Sequence, residues 1–412
     1  MNLLKISLAN LKEKKLNSFL SAMLLTLGIG MISLLLLLNK QLDEQFRRNI
    51  RGIDMVVGAK GSPLQLILSS IYQIDAPTGN VPLSEVNALK RNPFIKNVIP
   101  LSMGDNYRGF RIVGTTTTYV DHFEAKIAQG TLFSKPMEVA LGSKAAKNSG
   151  LKIGDTFASS HGLDSDGDAH HEKEYKVVGI FEPTGSVVDQ LVLTGLESVW
   201  EIHEHAEVPA TEVTENDPAH EHEMAEAHHE EEKQVTSALI QFRNPMGLLT
   251  IPRQVNDNTS MQAALPSIEI NRLFSLLGVG IDTLRALALV IIIIAGLSVF
   301  ISLYNSLKER KYEMALMLSM GATRTKLFLM LLMEGLILAV TGYLSGIIFS
   351  RAGLWLFGRA AEQDFHYSIR DFTILPEEIY LLAGALLLGL LAAALPSLGI
   401  YRLNISRTLA EE

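Results

Sequence analysis

The chain contains no cysteine. That excludes a disulfide framework, a thiol nucleophile and any zinc site built on thiolates. A domain of this chain outside the cytoplasm would be held by packing alone. Basic charge is in short supply: 36 Lys and Arg face 44 Asp and Glu, for a net charge of −8, which argues against nucleic acid as a partner. No G-x-x-x-x-G-K-(S/T) phosphate loop occurs, so the chain cannot hydrolyse ATP by that route, and no His-Glu-x-x-His pair marks a metallohydrolase. Charged residues amount to 19% against 48% hydrophobic ones. The apolar excess is gathered into a few runs.

Those runs have the length of membrane spans. Residues 18–38 carry no charge, and about 21 residues at 1.5 Å each cross a hydrocarbon core of roughly 30 Å. Three more runs qualify, at 284–307 (Arg285 at its edge), 327–350 and 379–400. The first is read as an uncleaved signal anchor, because it exceeds a signal peptide's apolar stretch and no small-x-small site follows it. Basic residues in short segments set the orientation. Lys5, Lys12, Lys14 and Lys15, then Lys308, Arg310, Lys311, Arg324 and Lys326, then Arg402 and Arg407 fall on one side when there are four spans. That side is expected to be the cytoplasm, which puts the chain in a bacterial inner membrane as a multi-pass protein with both termini inside.

The expected fold is an α-helical membrane protein with four transmembrane helices and a mixed α/β extracytoplasmic domain inserted between the first and second spans. Residues 1–17 form a cytoplasmic amphipathic helix, 39–281 the outer domain, 308–326 a cytoplasmic segment, 351–378 an outer loop and 401–412 a cytoplasmic tail. In the outer domain, short β-like runs are punctuated by Gly and Pro. A helix at 83–89 is expected to be capped by Ser84.

Residues 203–233 stand apart, acidic, histidine-rich and too poor in apolar residues to order themselves, which predicts a mobile segment. Nine of the eleven histidines are His161, His170, His171, His203, His205, His220, His222, His228 and His229. Imidazoles among carboxylates suit zinc, although the spacing matches no fixed tetrahedral set and Gly167 is misplaced for an EF-hand loop. Weak, multi-site zinc capture and a solvated polar loop both fit this stretch.

The loop after the second span reads Lys308-Glu-Arg-Lys-Tyr-Glu313, then Met-Ala-Leu-Met-Leu-Ser-Met320, then Gly321-Ala322-Thr323-Arg324. A short helix here would fit a groove on a soluble partner. With Glu313 and the Met320–Arg324 run in this order, the loop resembles the coupling segment of the MacB/FtsX/LolCE superfamily of ABC permeases. Glu334-Gly335-Leu336 near the start of the third span and the close at Pro396 to Leu409 are similar too, except that Asn404 to Ser406 lack the usual proline.

The resemblance implies a permease subunit, not an enzyme itself, that takes ATP energy from a separate ABC ATPase. It implies a second permease chain, identical or not, and an extracytoplasmic target such as a lipoprotein, a peptide or another periplasmic partner. Glu313 would meet the ATPase. Glu334 would face the bundle or the headgroups, since an acid in lipid is costly. Gly342 and Gly346 form a GxxxG through which helices approach. The competing readings are a membrane-anchored zinc-binding or sensing module and an extracytoplasmic metalloenzyme.

Overall fold

The computed structural model describes residues 3–161, 169–203, 233–365 and 373–402. In chain order, helices α1 (Leu3–Glu13) and α2 (Lys15–Ile50) lead to strand β1 (Met55–Ala59) and helix α3 (Pro63–Ile67), which runs on as a π-helical turn to Tyr72. Then come β2 (Val81–Pro82), α4 (Leu83–Ala88), β3 (Ile95–Tyr107), β4 (Phe110–Thr115), α5 (Thr117–His122), β5 (Ile127–Gly130), β6 (Glu138–Leu141) and α6 (Ser143–Ser149). Next are β7 (Thr156–His161), β8 (Ala169–Phe181), β9 (Val192–Gly195), α7 (Leu196–His203), β10 (Gln234–Val235), β11 (Ser237–Phe242), α8 (Gly247–Asn258) and β12 (Met261–Ala264). Helices α9 (Pro266–Glu309), α10 (Lys311–Ser319), α11 (Arg324–Phe365) and α12 (Pro376–Ser397) finish the chain.

Two compact units result, one of Met1–Glu44 with Ser275–Glu412, the other Gln45–Phe274. In the second, ten strands form one sheet in the order β12-β1-β11-β3-β4-β9-β6-β8-β5, with β7 joining β3 to β8. Pairing is antiparallel except for β4 with β9 and β6 with β8. Alternation along the strands builds two apolar faces: Val56, Ile99, Val113 and Leu193 point one way, Met55, Val98 and Ile240 the other. The first face is sealed by chain ends of this unit. Phe46 and Ile50 of α2 and Ile270, Leu273 and Phe274 of α9 pack on it.

In the other unit, α2, α9, α11 and α12 are each long and apolar enough to cross a membrane. Leu25, Ile29, Ala295, Val299, Leu338, Ala385 and Ala393 meet in its interior, while Leu287, Ile293, Leu297 and Leu390 stay exposed, as lipid-facing positions do.

Three expectations on element ends need correction. Helix α2 continues from the apolar run to Ile50, because Leu42, Phe46 and Ile50 repeat at helical spacing on the polar stretch that follows. Helix α11 passes residue 350 and runs to Phe365, so much of the expected 351–378 loop is helix. The apolar run does not end at Arg351, whose charge is paired inside the bundle. The N-cap of α4 is Pro82, with Ser84 inside the helix.

Candidate functional site

The segment between α9 and α11 is built from caps. Helix α9 stops at Glu309, and Arg310 turns the corner at φ −101°, ψ 19°. Glu313 then falls in the first turn of α10, where a carboxylate complements the helix dipole. Met314 and Ala315 are buried, whereas Tyr312, Leu316 and Met320 are exposed. At the far end the amide of Gly321 donates to Leu318 O (3.1 Å) and that of Ala322 to Met317 O (2.9 Å). This is a Schellman closure, and its left-handed position, φ +94°, is filled by glycine. Two residues later Thr323 Oγ1 accepts the amide of Lys326 (3.4 Å) and caps α11. Arg324 Nη1 donates to Tyr401 O (2.7 Å). The Gly-Ala-Thr-Arg run therefore closes one helix, opens the next and ties the turn to the short helical turn, Leu398–Arg402, that follows α12. What remains outward is a short helix presenting Tyr312, Glu313, Leu316 and Met320.

Glu334 faces the bundle. It is 2% exposed and accepts from Asn10 Nδ2 of α1 at 2.6 Å, while Ser7 Oγ donates to Met330 O (3.0 Å). Gly342 and Gly346 lie where α11 meets α2. A Cβ on Gly342 would stand 2.6 Å from Leu25 Cβ, and one on Gly346 would stand 3.1 Å from the Gly30 amide nitrogen.

A second polar cluster in the same unit was missed in the sequence. The Arg351 guanidinium forks onto Glu378, Nη1 to Oε1 at 2.7 Å and Nη2 to Oε2 at 2.8 Å. Ser33 Oγ of α2 donates to Glu378 Oε1 (2.6 Å), and the Leu375 amide donates to Oε2 (3.0 Å). Glu378 is fully buried and its partners come from α2, α11 and the start of α12. The available signal was two opposite charges at the facing ends of consecutive apolar runs.

In the other unit, the chain ends are fastened by more than packing. Phe46 lies 4.7 Å from Tyr72 and 5.5 Å from Phe274, ring centre to ring centre. Tyr72 OH donates to Phe46 O (2.9 Å), and the Val187 amide donates to Asn49 Oδ1 (3.0 Å). Nearby, Gln241 Nε2 donates to Gly52 O (2.9 Å) and meets His122 Nδ1 at 2.7 Å. Burial holds the His122 pKa below its ordinary value.

Among the described residues no group of His, Asp or Glu could hold a metal ion. The side chains of all nine histidines named above, and residues 204–232 altogether, lie outside the described residues.

Two protein families match the chain. The FtsX-like permease C-terminal family matches residues 285–405, and the MacB-like periplasmic core domain matches residues 18–228. Among solved structures, the crystal structure of the periplasmic region of MacB from Actinobacillus actinomycetemcomitans is similar at 13% identity and a TM-score of 0.32, over 55% of this chain and 95% of that one. No curated protein matches.

Proposed function

Since the chain belongs to the MacB/FtsX/LolCE-type family of ABC transporter permeases, we propose that it converts ATP hydrolysis on a separate ATPase into movement of the Gln45–Phe274 unit outside the membrane. The work falls on a lipoprotein, a peptide or another target reached from the periplasm. The observation that carries this reading is the continuity of two helices. Helix α2 has 36 residues and α9 has 44, so they are about 54 and 66 Å long, well beyond a hydrocarbon core of roughly 30 Å. Each runs without a break from its apolar stretch to residues rooted in the sheet's core, Phe46 and Ile50 on one and Ile270 and Phe274 on the other. Two continuous rods suit the transmission of motion rather than a pore.

The exposed face of α10, with Glu313, Leu316 and Met320, is the surface offered to the ATPase, and it lies on the cytoplasmic side with both termini. Two copies, or this chain with a related permease, complete the inner-membrane assembly. The zinc-binding module and the metalloenzyme draw no support from the described residues. The test is Glu313→Lys. Membrane insertion and melting temperature are expected to be unchanged, while the ATPase no longer co-purifies. Undiminished co-purification and transport would remove α10 from the interface.

A further inference from the structure

We infer that α1 belongs to the coupling device, and that Arg310 and Glu13 are positioning residues that tie the α10 segment to the root of the first span. This rests on the reading of α10 as the surface that receives the ATPase.

The observation is a reciprocal pair of ion pairs. Glu13 and Lys14 are adjacent on one side, and Glu309 and Arg310 are adjacent on the other. Arg310 Nη2 bonds Glu13, and Lys14 Nζ bonds Glu309. In each stretch an acid precedes a base, so the crossed pairing sets opposite charges together, whereas pairing acid with acid and base with base would set like charges together. The two cationic side chains are the enclosed members, at 10% exposure for Arg310 and 19% for Lys14, against 65% for each carboxylate. A guanidinium enclosed to that degree is fixed in position, whereas ordinary surface pairs are not.

The location gives the clamp its meaning. Lys14 is the single residue between α1 and α2 that belongs to neither helix. Arg310 is likewise the single residue between α9 and α10. The ion pairs thus join two helix corners. On one side of Arg310, at 3.9 Å from its Nε, stands Glu313 Oε2, the carboxylate proposed to meet the ATPase. On the other side is Glu13, one residue before the corner that leads into α2. Two hydrogen bonds tie α1 to α11, Ser7 Oγ on Met330 O and Asn10 Nδ2 on Glu334. A pull on Glu313 therefore reaches Arg310, then Glu13, and through the Lys14 corner the first span, without passing through α9. Helix α1 is the piece that lets one contact surface drive two rods.

The test is a charge exchange in the full-length permease, co-purified with its ATPase and reconstituted in nanodiscs. Glu13→Arg, Arg310→Glu and the double exchange are compared for ATPase co-purification, for kcat and KM of ATP turnover, and for the ATP-driven distance change between spin labels at Lys147 and Arg359, both exposed. Each single variant is expected to keep the ATPase bound and KM within about twofold, while the distance change and its stimulation of kcat fall at least about fivefold; the double exchange restores both. Single variants that couple as the wild type does would overturn the inference, and so would a double exchange that fails to restore coupling in an assembled complex. If Glu313→Lys leaves the ATPase bound, the underlying reading of α10 has failed instead, and the inference falls with it.

Discussion

Replacing Arg351 by methionine removes one half of a buried fork. Glu378 is fully enclosed, and after the change it keeps only the Ser33 hydroxyl at 2.6 Å and the Leu375 amide at 3.0 Å. Removing one partner of a buried ion pair destabilises by about 3–5 kcal/mol, because the other charge is left uncompensated. Two charge-assisted hydrogen bonds persist, so the expected loss is near the lower end, about 3 kcal/mol. The double variant Arg351→Met with Glu378→Met removes both charges. It is expected to recover most of that loss, since apolar groups of similar volume replace buried pairs at little net change. Unfolding in mixed detergent micelles, followed by tryptophan fluorescence, measures both variants. A single variant within about 1 kcal/mol of the wild type would show that the pair bears no stability. A double variant less stable than the single would show that Glu378 is held for its hydrogen bonds and not for its charge.

Gly342→Val tests the approach of α2 to α11. Its Cβ would sit 2.6 Å from Leu25 Cβ, an overpacking expected to destabilise by about 1–3 kcal/mol in the same assay; an unchanged stability would mean the helices part freely there. Gly321→Ala places a Cβ at φ +94°, which should loosen the closure of α10 by about 1–2 kcal/mol and raise hydrogen exchange at the Gly321 and Ala322 amides. Unaltered exchange would show that the closure is not what holds this turn. His122 gives a pH signature. Its Nδ1 accepts from Gln241, whose Oε1 is fixed by Asn97 Nδ2 at 2.7 Å, so the fold favours the neutral ring. With the folded pKa lowered, by burial, the unfolded chain takes up the proton first. Stability is then full above about pH 6.5 and falls as the pH drops from there toward the folded value. His122→Asn should make that fall shallower in a thermal melt series from pH 8 to 5. An identical slope would mean His122 is not buried neutral.

The bundle was legible in the sequence because a membrane span is a local property: length and the absence of charge suffice. The turn at Gly321 to Arg324 is likewise a local matter, set by neighbouring residues. What escaped depends on distant partners. Arg351 looks like the end of a span until Glu378, 27 residues on, is seen to neutralise it. Helix α2 looks finished at residue 38 because its next turns are polar, and only the sheet they root in keeps Phe46 and Ile50 in register. Glu334 had two readings, bundle or headgroup, and the choice is made by Asn10, more than three hundred residues away. Sheet order lies beyond any local window, since β1 pairs with β11 and β12 from the far end of its unit.

The absence of cysteine makes the most direct test practical. Cysteines introduced at the exposed positions Lys147 and Arg359 can be spin-labelled without background, and the distance between them measured by pulsed EPR in nanodiscs that contain the permease and its ATPase. Mechanical coupling through the two rods predicts a distance distribution that shifts when ATP is bound and returns after hydrolysis, with the shift lost in Glu313→Lys. A distribution unaltered by ATP in a complex that is turning ATP over would contradict it.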